Sequence, residues 1–527
     1  MAGTVTPNLT TISLCEALTG WTAVGGTNTL NDPTVFDARQ GSYCIQNYSA
    51  AVANRGADYD FGVDTDLSDT TIYFWFAFSK VPHATNYMRI RVTDAAGNWR
   101  EWNIFNKASL PHLSWIAWAL KTTVAYDAQS ATPPTMTAIR KVGWRMDSVI
   151  GKVYIYFDAW RYGTGLTITG GTSADPATLE DLYLADTDTA NAYGVIDKYN
   201  NVYFLQGKIT IGSLTPDVST YFKDTNQVVQ FKSIKGEPSG FYEIKGQNAT
   251  SGAGTTKIFF GEKSGTAGIS GLFIRAPSAM KWKLTMSDTY ITEFGFYGCT
   301  FVYADTITGQ TYSPSKEFLS TNFLMCAEML PNTGIVKYCK FISSPAEAVR
   351  MIDTAAEPYL SNCDFITCSR AVHIPNIGTY SFKSMNFFSN TYDVKNSSAG
   401  LVTVNYDQYC SPAPSTHEET GGGTTVIQTS VTLTVRHVKT GNEPTEYVRC
   451  AIYKKSDMSE IMNIDATVAD DQNPGYYKAS QTYTATGIAV VVRAREKGYL
   501  PFETEATITS NGLDVTAIWI PDPNYAP

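Results

Sequence analysis

Paired carboxylates are the first residues to weigh in this sequence, because two of them flanking a glycosidic bond suffice for hydrolysis when one stays protonated. Asp353, Glu357 and Asp364 lie close together in the chain, and on successive turns of a coil they would converge. Acids on solvent-facing turns are ordinary, however, and spacing alone brings no two of them to one bond. The expectation is therefore no catalytic residue, with this trio as the alternative. An indole face packs on sugar C–H groups and a flanking guanidinium donates to hydroxyls, which makes Trp99, Arg100 and Trp102 a candidate glycan platform. Positions 99 and 102 face opposite ways on a strand, so one of those indoles belongs to a core. The five histidines, at 83, 112, 373, 417 and 437, include no metal-ligand spacing such as H-E-x-x-H. Neither a phosphate-cradling G-x-x-x-x-G-K-S/T loop nor a G-x-S-x-G nucleophile elbow occurs.

The elements that must position such residues are strands. Charged residues are 17 % of the chain and aromatics 13 %, with 40 Gly and 32 Tyr, a mix suited to sheet surfaces and poor in helix formers. The 40 basic residues against 49 acidic ones give a net charge of −9, and no Lys/Arg block stands out, which excludes binding to a phosphate backbone. No run of about 18 apolar residues is present and the start lacks the basic and apolar stretches of a secretion signal. The expectation is a protein made soluble in a cytoplasm, without a membrane partner. Nine cysteines without a C-x-x-C pair read as buried free thiols.

A chain of 527 residues accommodates several domains. Over residues 1–168 short alternating runs are separated by turns: Met88, Ile90 and Val92 alternate with Arg89, Arg91 and Thr93, and Trp99 to Ile104 returns after Asp94-Ala-Ala-Gly97. Eight of the ten tryptophans fall in this stretch, which predicts an antiparallel sandwich of its own. Residues 169–410 carry a repeat. Cys299-Thr-Phe301, Thr321-Asn-Phe323, Cys339-Lys-Phe341, Cys363-Asp-Phe365 and Met385-Asn-Phe387 follow one another at 22, 18, 24 and 22 residues. Such a period indicates a solenoid whose coils stack, and a right-handed parallel β-helix is predicted. Its interior ladder would hold Cys299, Phe301, Phe323, Cys339, Phe341, Cys363, Phe365 and Phe387, with the intervening polar residues outward. Residues 172–290 alternate without a clean period. Residues 411–425, rich in Pro, Ser and Gly, read as a linker, and 426–527 as a further β-sandwich. The fold class expected is all-β throughout.

Gly151-Lys-Val-Tyr-Ile-Tyr-Phe-Asp-Ala-Trp-Arg-Tyr-Gly163 resembles the last strand of carbohydrate-binding jelly rolls and concanavalin-like sandwiches. The resemblance implies a structural calcium held by Asp158, with Asp37, although Ala159 stands where those families often have a second acid. Residues 426–527, with Val431, Leu433 and Val435 alternating and Lys497-Gly-Tyr-Leu-Pro501 closing a corner, are similar to immunoglobulin-like and carboxypeptidase-regulatory-like sandwiches. The three-part order and the opening Met-Ala-Gly-Thr-Val-Thr-Pro resemble tailed-phage virion proteins such as head decorations, head fibres and tail fibres or spikes. That likeness implies a virion-surface protein made in a bacterial host. It also implies homotrimers bound to other virion proteins and adhesion to host polysaccharide, with a polysaccharide depolymerase as the alternative. No cofactor is expected beyond the calcium.

Overall fold

The computed structural model describes residues 3–525 except 32–35, 50–54, 80–87, 106–113, 147–152, 189–190, 233–241, 248–254, 265–266, 270, 278–281, 287–290, 310–315, 330–334, 352–359, 408, 442, 445–447, 465–474, 485–486 and 510. Nearly everything is strand. One α-helix, Leu179–Thr187, and one 3-10 turn, Met136–Ala138, are the helices among the described residues, and neither is long and apolar enough to cross a membrane. The chain divides into two compact units, residues 1–335 and 336–527.

The first unit begins with a two-sheet sandwich. One sheet is antiparallel in the order Ala128–Gln129, Trp99–Phe105, Met88–Asp94, Ile139–Met146, Arg55–Thr65, Trp21–Val24. The facing strands are Thr71–Phe78, Ile116–Lys121, Ile45–Ser49, Gly3–Ser13 and the long Val153–Gly170. Alternation decides the inside: Met88, Ile90, Val92 and Trp102 join Trp144, Phe157 and Trp160 in one buried core. Thr71–Phe78 is buried at every residue. Its outer face lies under a second cluster, in which Trp75 packs with Ala117, Ala159 and Ala192 and donates its indole N–H to the Ala192 carbonyl at 3.1 Å.

Val153–Gly170 belongs to two kinds of sheet. Its first half pairs antiparallel with Thr71–Phe78, while Gly165 to Ile168 pair in parallel with Lys208–Ile211. The position expected as a domain boundary thus falls inside a strand. From there the chain visits three parallel ladders in fixed rotation. One holds Val202–Leu205, Val228–Phe231, Phe273–Arg275, Thr300–Val302 and Asn322–Leu324. The next holds Lys208–Ile211, Tyr242–Gly246, Trp282–Met286 and Ala304–Gly309. The last holds Thr220–Asp224, Thr256–Phe260, Ile291–Tyr297 and Lys316–Leu319. Unequal connections, including the hairpin Glu262–Ser264 with Ala267–Ile269, explain why residues 172–290 show no clean period.

The second unit continues the pattern with Lys340–Ile342, Asp364–Ile366 and Asn386–Phe388 in parallel, beside Glu347–Arg350, Arg370–Ile374, Tyr392–Asn396 and His417–Glu419. Residues 411–425 do not form a free linker. His417–Glu419 pairs with Val394 to Asn396, and Thr424 opens a strand, Thr424–Lys439, paired in parallel with Leu401–Tyr406. The glycines there serve close approach: a Cβ on Gly421 would lie 2.2 Å from the Ser397 carbonyl oxygen, and one on Gly423 2.2 Å from that of Gly400. Further along, Thr424–Lys439 pairs with Tyr476–Thr484 and Leu513–Trp519. These strands share a core with Glu460–Ile464, Arg449–Lys454, Ile488–Arg495 and Phe502–Ile508, giving a second two-sheet sandwich.

Each Cys-x-Phe repeat is a short strand between two left-handed residues. The flanking pairs are Gly298 and Tyr303, Ser320 and Met325, Tyr338 and Ser343, Asn362 and Thr367, Ser384 and Ser389, all with φ between 51° and 62°. A non-glycine residue there is strained, and side chains tie the corners down. The Cys363 thiol donates to the Ser361 carbonyl at 3.2 Å, and Thr321 places a hydroxyl in the same role toward Leu319 at 3.3 Å. Cys299, Phe301, Phe323, Cys339, Phe341, Cys363, Phe365 and Phe387 are all buried. Phe341, Phe365 and Phe387 stack with centroids 5.0 and 5.2 Å apart. All nine cysteines are free and buried.

Candidate functional site

The outward positions of the third ladder of the first unit build a cleft of about 530 Å³. Strand pairing fixes its floor. Tyr221, Lys257 and Glu293 are register partners and form one row across three strands; Lys223, Phe259, Gly295 and Glu317 form the next row, two residues along. Phe222, Ile258, Phe260, Phe294 and Phe296, which alternate with them, point into the core. Alternation thus leaves an aromatic ring, Phe259, on the wet face between two inward apolar neighbours.

Gly295 is where this floor requires a glycine. A Cβ there would lie 2.1 Å from the Tyr297 ring, so the missing side chain lets Tyr297 lie over the strand. Its ring is nearly parallel to that of Phe259, at 12° and 6.4 Å between centroids. The hairpin beginning at Glu262 supplies a wall. Its Lys263 ammonium donates to both carboxylate oxygens of Glu317 at 2.7 Å, and the Tyr297 hydroxyl donates to Glu317 at 3.2 Å. Burial pushes the Tyr297 phenol up, and the neighbouring Glu317 charge adds to it, so the hydroxyl stays a donor. Lys223 pairs with Glu262 at 2.9 Å and Lys257 with Glu293 at 2.6 Å. The cleft therefore offers aromatic faces ringed by three ammonium–carboxylate pairs.

The platform expected from Trp99, Arg100 and Trp102 is not assembled. Trp102 is buried in the sandwich core, with its indole N–H on the Val124 carbonyl at 3.0 Å. Arg100 shares the side of the strand that Trp102 occupies and turns to the sheet edge, over Tyr126 at 4.7 Å. Trp99 lies on the opposite side, and the Arg91 guanidinium covers a face of its indole at 4.2 Å. That side of the sheet is an ion-pair carpet: buried Glu101 accepts from Arg89 at 3.0 Å and Arg91 at 2.6 Å, and Arg145 binds both oxygens of Asp58 at 2.7 Å.

Calcium does not fit Asp158. Both its carboxylate oxygens accept backbone N–H groups, from Arg39 at 2.9 Å, Gln40 at 3.0 Å and Ala159 at 2.7 Å, whereas the ion needs oxygen ligands. Asp37 is exposed, its carbonyl taken by the Trp115 indole. Among the described residues no group of three or more His, Cys, Asp or Glu side chains could hold a metal ion. Burial pushes the Asp158 carboxyl up to about 8. Asp186, also buried, accepts from Gly194, Val195 and Ile196 at 2.6, 2.8 and 2.6 Å and is pushed up to about 6. Both acids hold loops closed. Asp364 faces outward, accepting from Asn386 at 2.9 Å beside Lys340 at 3.7 Å; Asp353 and Glu357 lie outside the described residues.

No protein-family model matches the sequence, and no curated protein matches it. Solved structures similar to parts of it include an exo-β-agarase, at 12 % identity and TM-score 0.23 over 28 % of this chain and 23 % of that one. A second agarase, AgWH50C, has 8 % identity and TM-score 0.23 over 30 % and 24 %. The family 11 carbohydrate-binding module of the Clostridium thermocellum cellulase Lic26A-Cel5E has 10 % identity and TM-score 0.23 over 30 % of this chain and 95 % of the module. The chain thus spans about a quarter of the length of the two agarases. Similarity at this level assigns neither ligand nor activity.

Proposed function

We propose that this protein is a non-enzymatic, glycan-adhering surface appendage of the tailed-phage virion kind, and that the cleft of Tyr221, Phe259 and Tyr297 receives the glycan. The single observation behind the binding role is the cleft's floor: aromatic rings beside polar groups of both signs, the arrangement a sugar's C–H face and hydroxyls require. The fixed rotation of the chain through parallel ladders supports a right-handed parallel β-helix as the scaffold, since crossovers between parallel strands take that hand. Adhesion is favoured over cleavage because Glu262, Glu293 and Glu317 each face an ammonium, whereas hydrolysis calls for a protonated acid set against a second carboxylate. In this reading the chain works as a homotrimer on a virion surface, with other virion proteins as neighbours.

The test is to incubate the purified protein with capsule or lipopolysaccharide from candidate hosts, measuring retention on cells and the appearance of new reducing ends or unsaturated sugars. Retention without new ends is expected. Release of defined oligosaccharides would replace adhesion by depolymerase activity.

A further inference from the structure

The geometry points to an uncharged polysaccharide as the ligand of the Tyr221–Phe259–Tyr297 cleft, an inference that rests on the adhesive reading above and narrows it. Three lysines and three glutamates line the cleft or close onto it, and the structure pairs them one to one: Lys223 with Glu262, Lys257 with Glu293 and Lys263 with Glu317. Among the described residues of the cleft, no cation is left over for an incoming carboxylate. A uronate or sialate would have to compete with one of the glutamates for its lysine, at a cost in like-charge repulsion from that glutamate. A neutral hexose asks for nothing of the kind. Its hydroxyls donate to carboxylate oxygens and accept from ammonium hydrogens while every pair stays closed, and its C–H face lies on Phe259 and the ring of Tyr297 beside it.

The pairs also differ in how firmly they are set. Glu317 is buried and held by both Lys263 and the Tyr297 hydroxyl, which locks the ring that Gly295 admits. Glu293 is more open than Glu317, and the Lys257 ammonium also lies over the Tyr221 ring at 5.6 Å. Lys257 is thus the cation that would become available if its partner lost its charge. Glu293→Gln is then a gain-of-function test: it should turn a charge-balanced cleft into one with an uncompensated ammonium.

The experiment measures binding of the intact protein, wild type, Phe259→Ala and Glu293→Gln, to matched sets of neutral polysaccharides (dextran, galactan, mannan) and uronate polymers (polygalacturonate, alginate), at about 50 and about 500 mM salt. Circular dichroism melts establish that each variant is folded. The expected result is wild-type binding to a neutral polymer, changed less than about twofold by salt, lost by about tenfold or more in Phe259→Ala, and joined in Glu293→Gln by salt-sensitive uronate binding. Preference of the wild type for uronates, weakening with salt, would overturn the neutral-ligand inference and leave adhesion standing. Neutral binding undiminished in folded Phe259→Ala would overturn the cleft as its site. Binding to neither class would overturn the adhesive reading itself.

Discussion

His437 shows what a residue can reveal once its surroundings are fixed. It is wholly buried between Trp519, whose ring lies at 5.8 Å and 21°, and Tyr477, edge-on at 4.9 Å. Neither ring nitrogen has a hydrogen-bond partner among the described residues. Burial lowers its pKa from 6.5 to about 4, so the unfolded chain takes up a proton that the folded one refuses. Stability is therefore full above the unfolded value and falls as the pH drops through the window from 6.5 toward 4. The expected loss for the C-terminal sandwich is about 2 kcal/mol between about pH 7 and about pH 5, read by urea unfolding, and His437→Phe should abolish that dependence. Gly295 makes the matching prediction for the cleft: Gly295→Ala drives the buried Tyr297 ring off the strand and away from Glu317, and should lower glycan affinity about tenfold and stability by about 1 to 3 kcal/mol. Tryptophans were singled out because they are the obvious sugar-stacking residues, with alternation sending one of the pair to a core; Trp102 is that one, and Arg91 covers Trp99. The signal for the cleft was present but subtler, an outward Phe259 between inward Ile258 and Phe260.

At the scale of elements, the repeat was legible because every Cys-x-Phe corner solves the same problem in the same way. The left-handed flanks, the buried soft or hydroxyl side chain and the buried ring recur together, so the residue types recur too. Cys326 and Cys368 were not read as part of this device. They follow the second left-handed residue, and their thiols donate to the carbonyls of Phe301 and Phe341 at 3.4 Å. That position is filled in other repeats by Ala304, Ser344 and Asn390, too varied to show as a pattern. The stretch 411–425 misled because glycine and proline mark both flexible chain and close backbone approach, and Gly421 and Gly423 serve the second purpose. Phe365, wholly buried between two stacked neighbours, tests the ladder: Phe365→Ala should destabilise its unit by about 3 to 5 kcal/mol, while Cys363→Thr, which keeps a donor for the corner as Thr321 does, should stay within about 1 kcal/mol. Equal losses for the two would contradict the roles given to ring and thiol.

For the whole molecule, the all-β class follows from composition, and a structure in which strands predominate, with one α-helix among the described residues, agrees with it. Boundaries between regions were harder to read, because the transitions occur within strands. Val153–Gly170 carries antiparallel pairing into parallel pairing in the first unit, and Thr424–Lys439 carries parallel pairing into the sandwich of the second. The acids weighed for catalysis are scattered differently from the cleft: Asp364 belongs to the second unit, and the carboxylates of the cleft come from strands and a hairpin of the first. The central claim, that a glycan rests on the outward face of the third parallel ladder, is tested most directly by a crystal structure of the protein with the oligosaccharide that a glycan array selects. The account predicts a sugar ring lying over Phe259 and Tyr297 with hydroxyls among the three ion pairs. A sugar seated instead on the Trp99 and Arg91 face of the sandwich, with the cleft empty, would contradict it.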